Sequence, residues 1–196
     1  MQEVYTRAGQ SSAAMPIKPP DPHLELTDDV IMLRAPTADD AESVAQLVLD
    51  SVTHLQPWLP WATSTYTAES ALEYFSGRVD ATAHAMLIFD GKGQLVGGAG
   101  LNRFDMVNRV ADLGYWVARG HTGQGYATRA TNLLAKHAIE TVGLERLELI
   151  MSVYNKASIR VAEKSIAMYE GLQKNRLHVG GVQHDAHCYV VLNKRS

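Results

Sequence analysis

The chain has 196 residues, enough for one well-packed domain, and its 46% hydrophobic and 20% charged content is that of an ordinary globular protein. No run of 18 or more apolar residues is present, which excludes a membrane-spanning helix. The net charge of −3, with Lys and Arg scattered, excludes a broad nucleic-acid footprint and suits a basic partner such as an amine.

Residues 1–26 are expected to form a flexible arm. Gln10–Ala14 is small and polar, and Pro16, Pro19, Pro20 and Pro22 block helix and ladder alike. The start lacks the basic-then-apolar pattern of a secretory signal. Residues 27–196 then read as one domain. Val30–Arg34 reads as a strand, and Thr37 caps a helix over Ala38–Asp50, with Asp39 and Asp40 at its positive end. A structured loop, Gln56–Trp61, carries two prolines and two tryptophans, and Thr67 caps a second helix over Ala68–Val79. Apolar runs at 85–90 and 94–101 flank Asp90-Gly91-Lys92-Gly93, a hairpin signal.

A strand follows over 110–118. Alternation puts Leu113, Tyr115 and Val117 on one face, and Asp112, Gly114 and Trp116 on the other. After Gly123-Gln124-Gly125 a helix presents Ala127, Ala130, Leu134 and Ala138 on one stripe, and Gly143 stops it. Leu147, Leu149, Met151 and Val153 alternate as a strand, Asn155 opens a short helix, and a last strand lies near 186–192. Strand, glycine turn, helix, strand implies a parallel pair; hairpins before it and a late strand after it make the class α+β.

Gly123-Gln124-Gly125-Tyr126-Ala127-Thr128 sits where a strand enters a helix. Glycines allow close backbone approach, and helix N-terminal amides attract anions, so a pyrophosphate fits; a tight turn that packs helix on strand fits equally. Thr128 replaces the third glycine of a dinucleotide fingerprint, and no Gly-Lys-Ser/Thr triplet marks a P-loop. Cys188 is the single cysteine. No intrachain disulfide can form, a reducing, cytoplasmic setting is expected, and no His and acid partner marks the thiol as a nucleophile. The spacing of His184-Asp185-Ala186-His187-Cys188 suits no zinc site, so no metal is expected.

Leu113-Gly114-Tyr115-Trp116-Val117 followed by Gly123–Thr128 resembles the acetyl-CoA-binding strand and loop of RimJ/RimL-like acetyltransferases of the GNAT superfamily. Asn155–Lys164 is similar to that family's Asn-x-x-Ser-x-x-x-x-Glu-Lys segment, Tyr169-Glu170-Gly171 to its Tyr/x-Glu-Gly, and His54–Trp61 to its first-loop signature. The four matches run in order from about 30 to 192.

The resemblance implies a GNAT fold: a mixed central sheet, flanked by helices, that splays between two parallel strands. Coenzyme A would lie in the wedge, its pyrophosphate on Gly123, Gln124, Gly125, Tyr126, Ala127 and Thr128. Trp116 and Val117 would follow the pantetheine arm on one side and Asn155 on the other. Ser158 would donate to the departing thiolate, although Asn155 and Ser158 also read as a helix cap. Asp112 is the first candidate base, ahead of Glu170, His84 and His121. Trp58 and Trp61 would wall the acceptor pocket. Gly120 stands where the family has Gln or Arg, leaving Arg119 beside it as the phosphate contact, and Ser165-Ile166-Ala167-Met168 replaces the Gly-Phe after Glu-Lys. The implied activity is acetyl transfer from acetyl-CoA to a primary amine, of a protein N-terminus (ribosomal-protein-like) or a small molecule, by a homodimer. The alternative is a non-enzymatic module of the same fold.

Overall fold

The computed structural model describes residues 21–76 and 83–193. Eight strands form one sheet: β1 (Glu25–Thr27), β2 (Ile31–Arg34), β3 (His84–Asp90), β4 (Leu95–Asp105), β5 (Val110–Val117), β6 (Arg146–Ser152), β7 (Met168–Val179) and β8 (Val182–Leu192). Their order is β1-β2-β3-β4-β5-β6-β8-β7. Only β5 and β6 run parallel; the other described pairings are antiparallel.

Five helices cover the sheet: α1 (Ala41–Leu49), α2 (Val52–Leu55), α3 (Ala68–Phe75), α4 (Tyr126–His137) and α5 (Lys156–Lys164). On one face, α4 buries Tyr126, Ala130, Leu134 and Ala135 against Leu101, Leu113, Leu147 and Leu149. On the other, α1 turns Ala41, Val44, Ala45 and Val48 inward at helical spacing, and with α3 it covers Leu87 and Phe89. Each fully buried leucine contributes about 1.5–3 kcal/mol.

The chain punctuation behaves as its chemistry dictates. The Thr67 hydroxyl accepts from the Ser70 amide at 3.2 Å and starts α3. Gly143 adopts φ +85°, and the amides of Gly143 and Leu144 close the helix on the Ala138 carbonyl at 3.0 Å each.

Several expectations are corrected. The first turn after Thr37, Ala38–Asp40, is a 3-10 turn, because Asp40 folds its carboxylate back onto the Thr37 amide and hydroxyl at 2.7 and 2.8 Å. The helix after Thr67 ends at Phe75, and residues 77–79 lie outside the described region, as do 1–20 of the expected arm. β1 begins inside the arm's expected range. A twelve-residue strand, β7, occupies a segment with no strand expectation. It is an edge strand with two irregularities, at Tyr169/Gly171 and Gln173/Leu177, so its side chains never settle into clean alternation.

Candidate active site

The parallel pairing of β5 with β6 lasts only three positions, Val110↔Arg146, Ala111↔Leu147 and Asp112↔Glu148. Beyond them the two strands part. Leu113–Val117 on one side and Leu149–Ser152 on the other line a cleft of about 720 Å³. Strand edges that part in this way leave backbone N–H and C=O groups facing the gap.

The N-terminus of α4 closes one end. Gly125 caps it at φ +82°, Gly123 has φ +77°, and open space lies where either would carry a Cβ. Only glycine holds this left-handed backbone without cost. Its first-turn amides have no acceptor within the helix, and the helix dipole adds positive potential there. Gly123, Gly125, Tyr126, Ala127 and Thr128 all line the cleft, as do Arg160 and Lys164 of α5, whereas no Asp or Glu does among the described residues. The donor set therefore suits an elongated ligand with a polyanionic end, as coenzyme A is.

Asn155 and Ser158 line the opposite wall. The Asn155 side-chain oxygen Oδ1 accepts the Ser158 amide at 3.1 Å, capping α5. The Ser158 hydroxyl lies 2.9 Å from the Tyr115 hydroxyl. Burial pushes the Tyr115 phenol up to about 12, against a smaller lowering by Ser158, so it stays protonated at any physiological pH. The sequence places Tyr115 on one strand face and within the segment that resembles the acetyl-CoA-binding strand, but assigns its hydroxyl no role.

Other expected site residues fall elsewhere. Asp112 lies on the sheet face opposite Tyr115, outside the cleft wall, and its carboxylate is ion-paired with Arg103. Burial pushes its carboxyl up and Arg103 draws part of that back. Gln124 and Arg119 are exposed and outside the wall. The Gln124 side chain accepts from the Tyr126 hydroxyl at 3.0 Å, and the Arg119 amide donates to the Ser51 hydroxyl at 3.1 Å. Trp58 and Trp116 line the cleft, but Trp61 stands behind them, edge-on to Trp116 at 6.0 Å between ring centroids. The Trp116 ring in turn lies across Gly98, where a Cβ would sit 2.6 Å from the indole nitrogen.

Among the weaker bases, Glu170 is held below the usual carboxylate range by Arg146, and burial beside His137 pushes His84 down to about 4. His121 does line the cleft, next to the glycines. Burial pushes the Cys188 thiol up to about 11, which keeps it protonated and unreactive. His184 and His187 spend ring nitrogens on Ser152 and Tyr169.

An acetyltransferase (GNAT) domain is matched by residues 31–165. The chain belongs to this family. YdaF of Bacillus subtilis is 31% identical over 170 residues, which cover 84% of this chain and 92% of that protein. The ribosomal-protein-serine acetyltransferase of Escherichia coli is 27% identical, over 80% of this chain and 89% of its own. The structure of RimL, the ribosomal L7/L12 alpha-N-protein acetyltransferase in complex with coenzyme A, superposes with a TM-score of 0.78 at 25% identity, covering 86% and 98% of the two chains. Mycobacterium smegmatis RimJ, also with coenzyme A, gives 0.77 at 28% identity, covering 88% of each. The protein is thus a GNAT enzyme that moves the acetyl group of acetyl-CoA to a primary amine. That excludes the non-enzymatic reading. The segment that departs from the family pattern, Ser165–Met168, is well anchored: the Ser165 hydroxyl donates to the Ala162 carbonyl at 2.8 Å, and the Ile166 amide to the Asn132 side chain at 2.9 Å.

Proposed function

We propose that the acceptor is the α-amine of a protein N-terminus, of the ribosomal-protein class. One observation carries this reading: the cleft wall holds Arg160 and Lys164 and no carboxylate among its described residues. Such a wall offers no counter-ion to polyamines or to lysine side chains, which enter as cations (lysine titrates at about 10.4), whereas an α-amine titrates at about 8 and supplies neutral nucleophile at working pH. The names of the Escherichia coli relative and of RimL support the same acceptor class.

The amides of Gly123, Gly125 and the first turn of α4 would hold the pyrophosphate, and β5 and Asn155 the pantetheine arm. Acetyl-CoA supplies an acetyl group activated as a thioester. With the Tyr115 proton donated within the pair, to the Ser158 carbonyl or hydroxyl, the Ser158 proton would be left at the wedge, suited to the sulfur as it gains charge. Trp58 forms part of the acceptor wall and Trp61 braces Trp116. A ribosomal acceptor places the enzyme in the cytoplasm. The exposed apolar side chains of β7, Met168 and Leu172 among them, support a homodimer, which light scattering tests.

Thiol release measured over a panel of free-amine peptides, N-blocked peptides containing lysine, and polyamines tests the acceptor. Free-amine peptides should be the substrates. Faster turnover of a polyamine or of an N-blocked lysine peptide would refute the α-amine reading.

A further inference from the structure

An α-amine arrives partly as ammonium and must shed a proton before it attacks, yet among the described residues the cleft wall offers no carboxylate to take it. One wall residue is linked to a proton acceptor behind it. Ser152, at the end of β6, lines the cleft while remaining buried. Its hydroxyl lies 2.9 Å from Nδ1 of His184 on β8, and the Tyr154 amide donates to the same oxygen at 3.2 Å. A serine hydroxyl has one proton and two lone pairs. With His184 protonated on Nε2, the Ser152 proton goes to Nδ1 and one lone pair to the Tyr154 amide, and one lone pair is left unclaimed among the described residues. That is the vacancy an amine N–H fills.

We propose that Ser152 and His184 form the relay that removes the acceptor's proton. The ammonium N–H passes to the Ser152 oxygen as the Ser152 proton passes to His184 Nδ1. The amine becomes neutral, the imidazole becomes imidazolium, and the hydroxyl is unchanged. Ser152 touches the acceptor; His184 acts through it. The Tyr154 ring, edge-on at 4.9 Å between centroids, holds the imidazole in place. The nearby charges are engaged elsewhere: the Asp185 carboxylate takes Lys174 and the Asn175 amide, and Arg176 donates to Gln173. His178 of β7 lines the cleft itself, and His54 and His121 lie on the α2 and glycine-loop walls. None of these three is hydrogen-bonded, among the described residues, to a hydroxyl of the cleft wall.

The inference rests on the amine-acceptor reading, and the experiment separates the two. Wild type, H184Q, H184A and S152A are assayed for thiol release with a free-amine peptide from pH 6.5 to 9, with coenzyme A affinity measured by calorimetry. H184Q should lose tenfold or more in kcat/KM at pH 7, since a positioned base contributes about 10²–10⁴-fold. The deficit should shrink toward pH 9, where the acceptor is already neutral, while coenzyme A affinity stays unchanged. S152A should show the same pH-dependent deficit, and the two histidine variants keep the inference testable if loss of the buried hydroxyl unfolds S152A. A deficit equal at every pH would mean that Ser152 donates to the substrate carbonyl instead, and overturns the relay. Unchanged H184Q and H184A rates overturn it too. Wild type inactive on every peptide but active on other amines would overturn the acceptor reading and the relay with it.

Discussion

At the scale of single residues, the paired hydroxyls of Tyr115 and Ser158 make a sharp prediction. If the Ser158 hydroxyl, held by Tyr115, donates to the sulfur, that contact matters in the transition state more than in the ground state. Tyr115→Phe and Ser158→Ala should therefore lower kcat by about tenfold or more and leave acetyl-CoA affinity nearly unchanged. Ser158→Ala should be the more costly, because the Tyr115 proton already has the Ser158 carbonyl, 3.2 Å away, as its acceptor. The double variant should lose less than the product of the two, since the groups act as a unit. Multiplicative losses would show that they work independently. Gly125 tests the other end of the cleft. With φ +82°, Gly125→Ala should cost about 1–2 kcal/mol of stability from backbone strain alone. Its Cβ meets only open space in the protein, so a further, roughly tenfold rise in the Michaelis constant for acetyl-CoA would come from the ligand. A lower melting temperature with an unchanged Michaelis constant would move the pyrophosphate off this loop. The glycines and the Asn155 cap were legible in the sequence because their chemistry is local. The Asp112–Arg103 contact was not, since it depends on which face of the sheet the helices leave open.

At the scale of elements, Asp40 joins β2 to the start of α1. It accepts a bidentate grip from Arg34, at 2.8 Å and 2.6 Å, while also accepting from Thr37. The Arg34 guanidinium beside it, with the Thr37 amide, lowers its carboxyl to about 2 despite burial. The sign follows from linkage. A carboxylate more acidic in the folded state contributes stability above its unfolded pKa, and that contribution is lost as pH falls from about 4 toward 2. Asp40→Asn should therefore cost about 1–2 kcal/mol at pH 7 and almost nothing at pH 2, read from urea melts at both pH values. An equal cost at the two would assign the effect to packing. Sequence revealed this cap but not its hydrogen bonds, because spacing cannot tell which of Thr37 and Asp40 donates and which accepts. The strand β7 was missed for a different reason. Its partner is the late strand β8, its outer edge is unpaired among the described residues, and Lys174, Asn175 and Arg176 interrupt any apolar rhythm. Its pairing arises from long-range closure of the sheet, which periodicity does not record.

At the scale of the whole molecule, the sheet is two blocks, β1–β5 and β6-β8-β7, joined by three register pairs at the foot of a wedge. α4 packs across β5 and α5 beside β6, so the helices add to that joint from one face only. A ligand filling the wedge would replace the strand pairing that the splay gives up. Mass action sets the size: at one hundred times the dissociation constant, binding stabilises by about 2.7 kcal/mol, or roughly 5–11 °C for a domain this long. Inorganic pyrophosphate, expected to reach only the α4 end, should stabilise far less at the same concentration. The distribution of the effect is more telling than its size. Hydrogen exchange should slow most at Leu113–Val117 and Leu149–Ser152, whose backbone groups face the gap, and least in β2 and β3, which are already paired on both sides. Protection that rises evenly across all eight strands would mean that coenzyme A merely shifts global unfolding. Protection confined to α4 would mean that the ligand never enters the wedge, and the cleft between β5 and β6 would need another occupant.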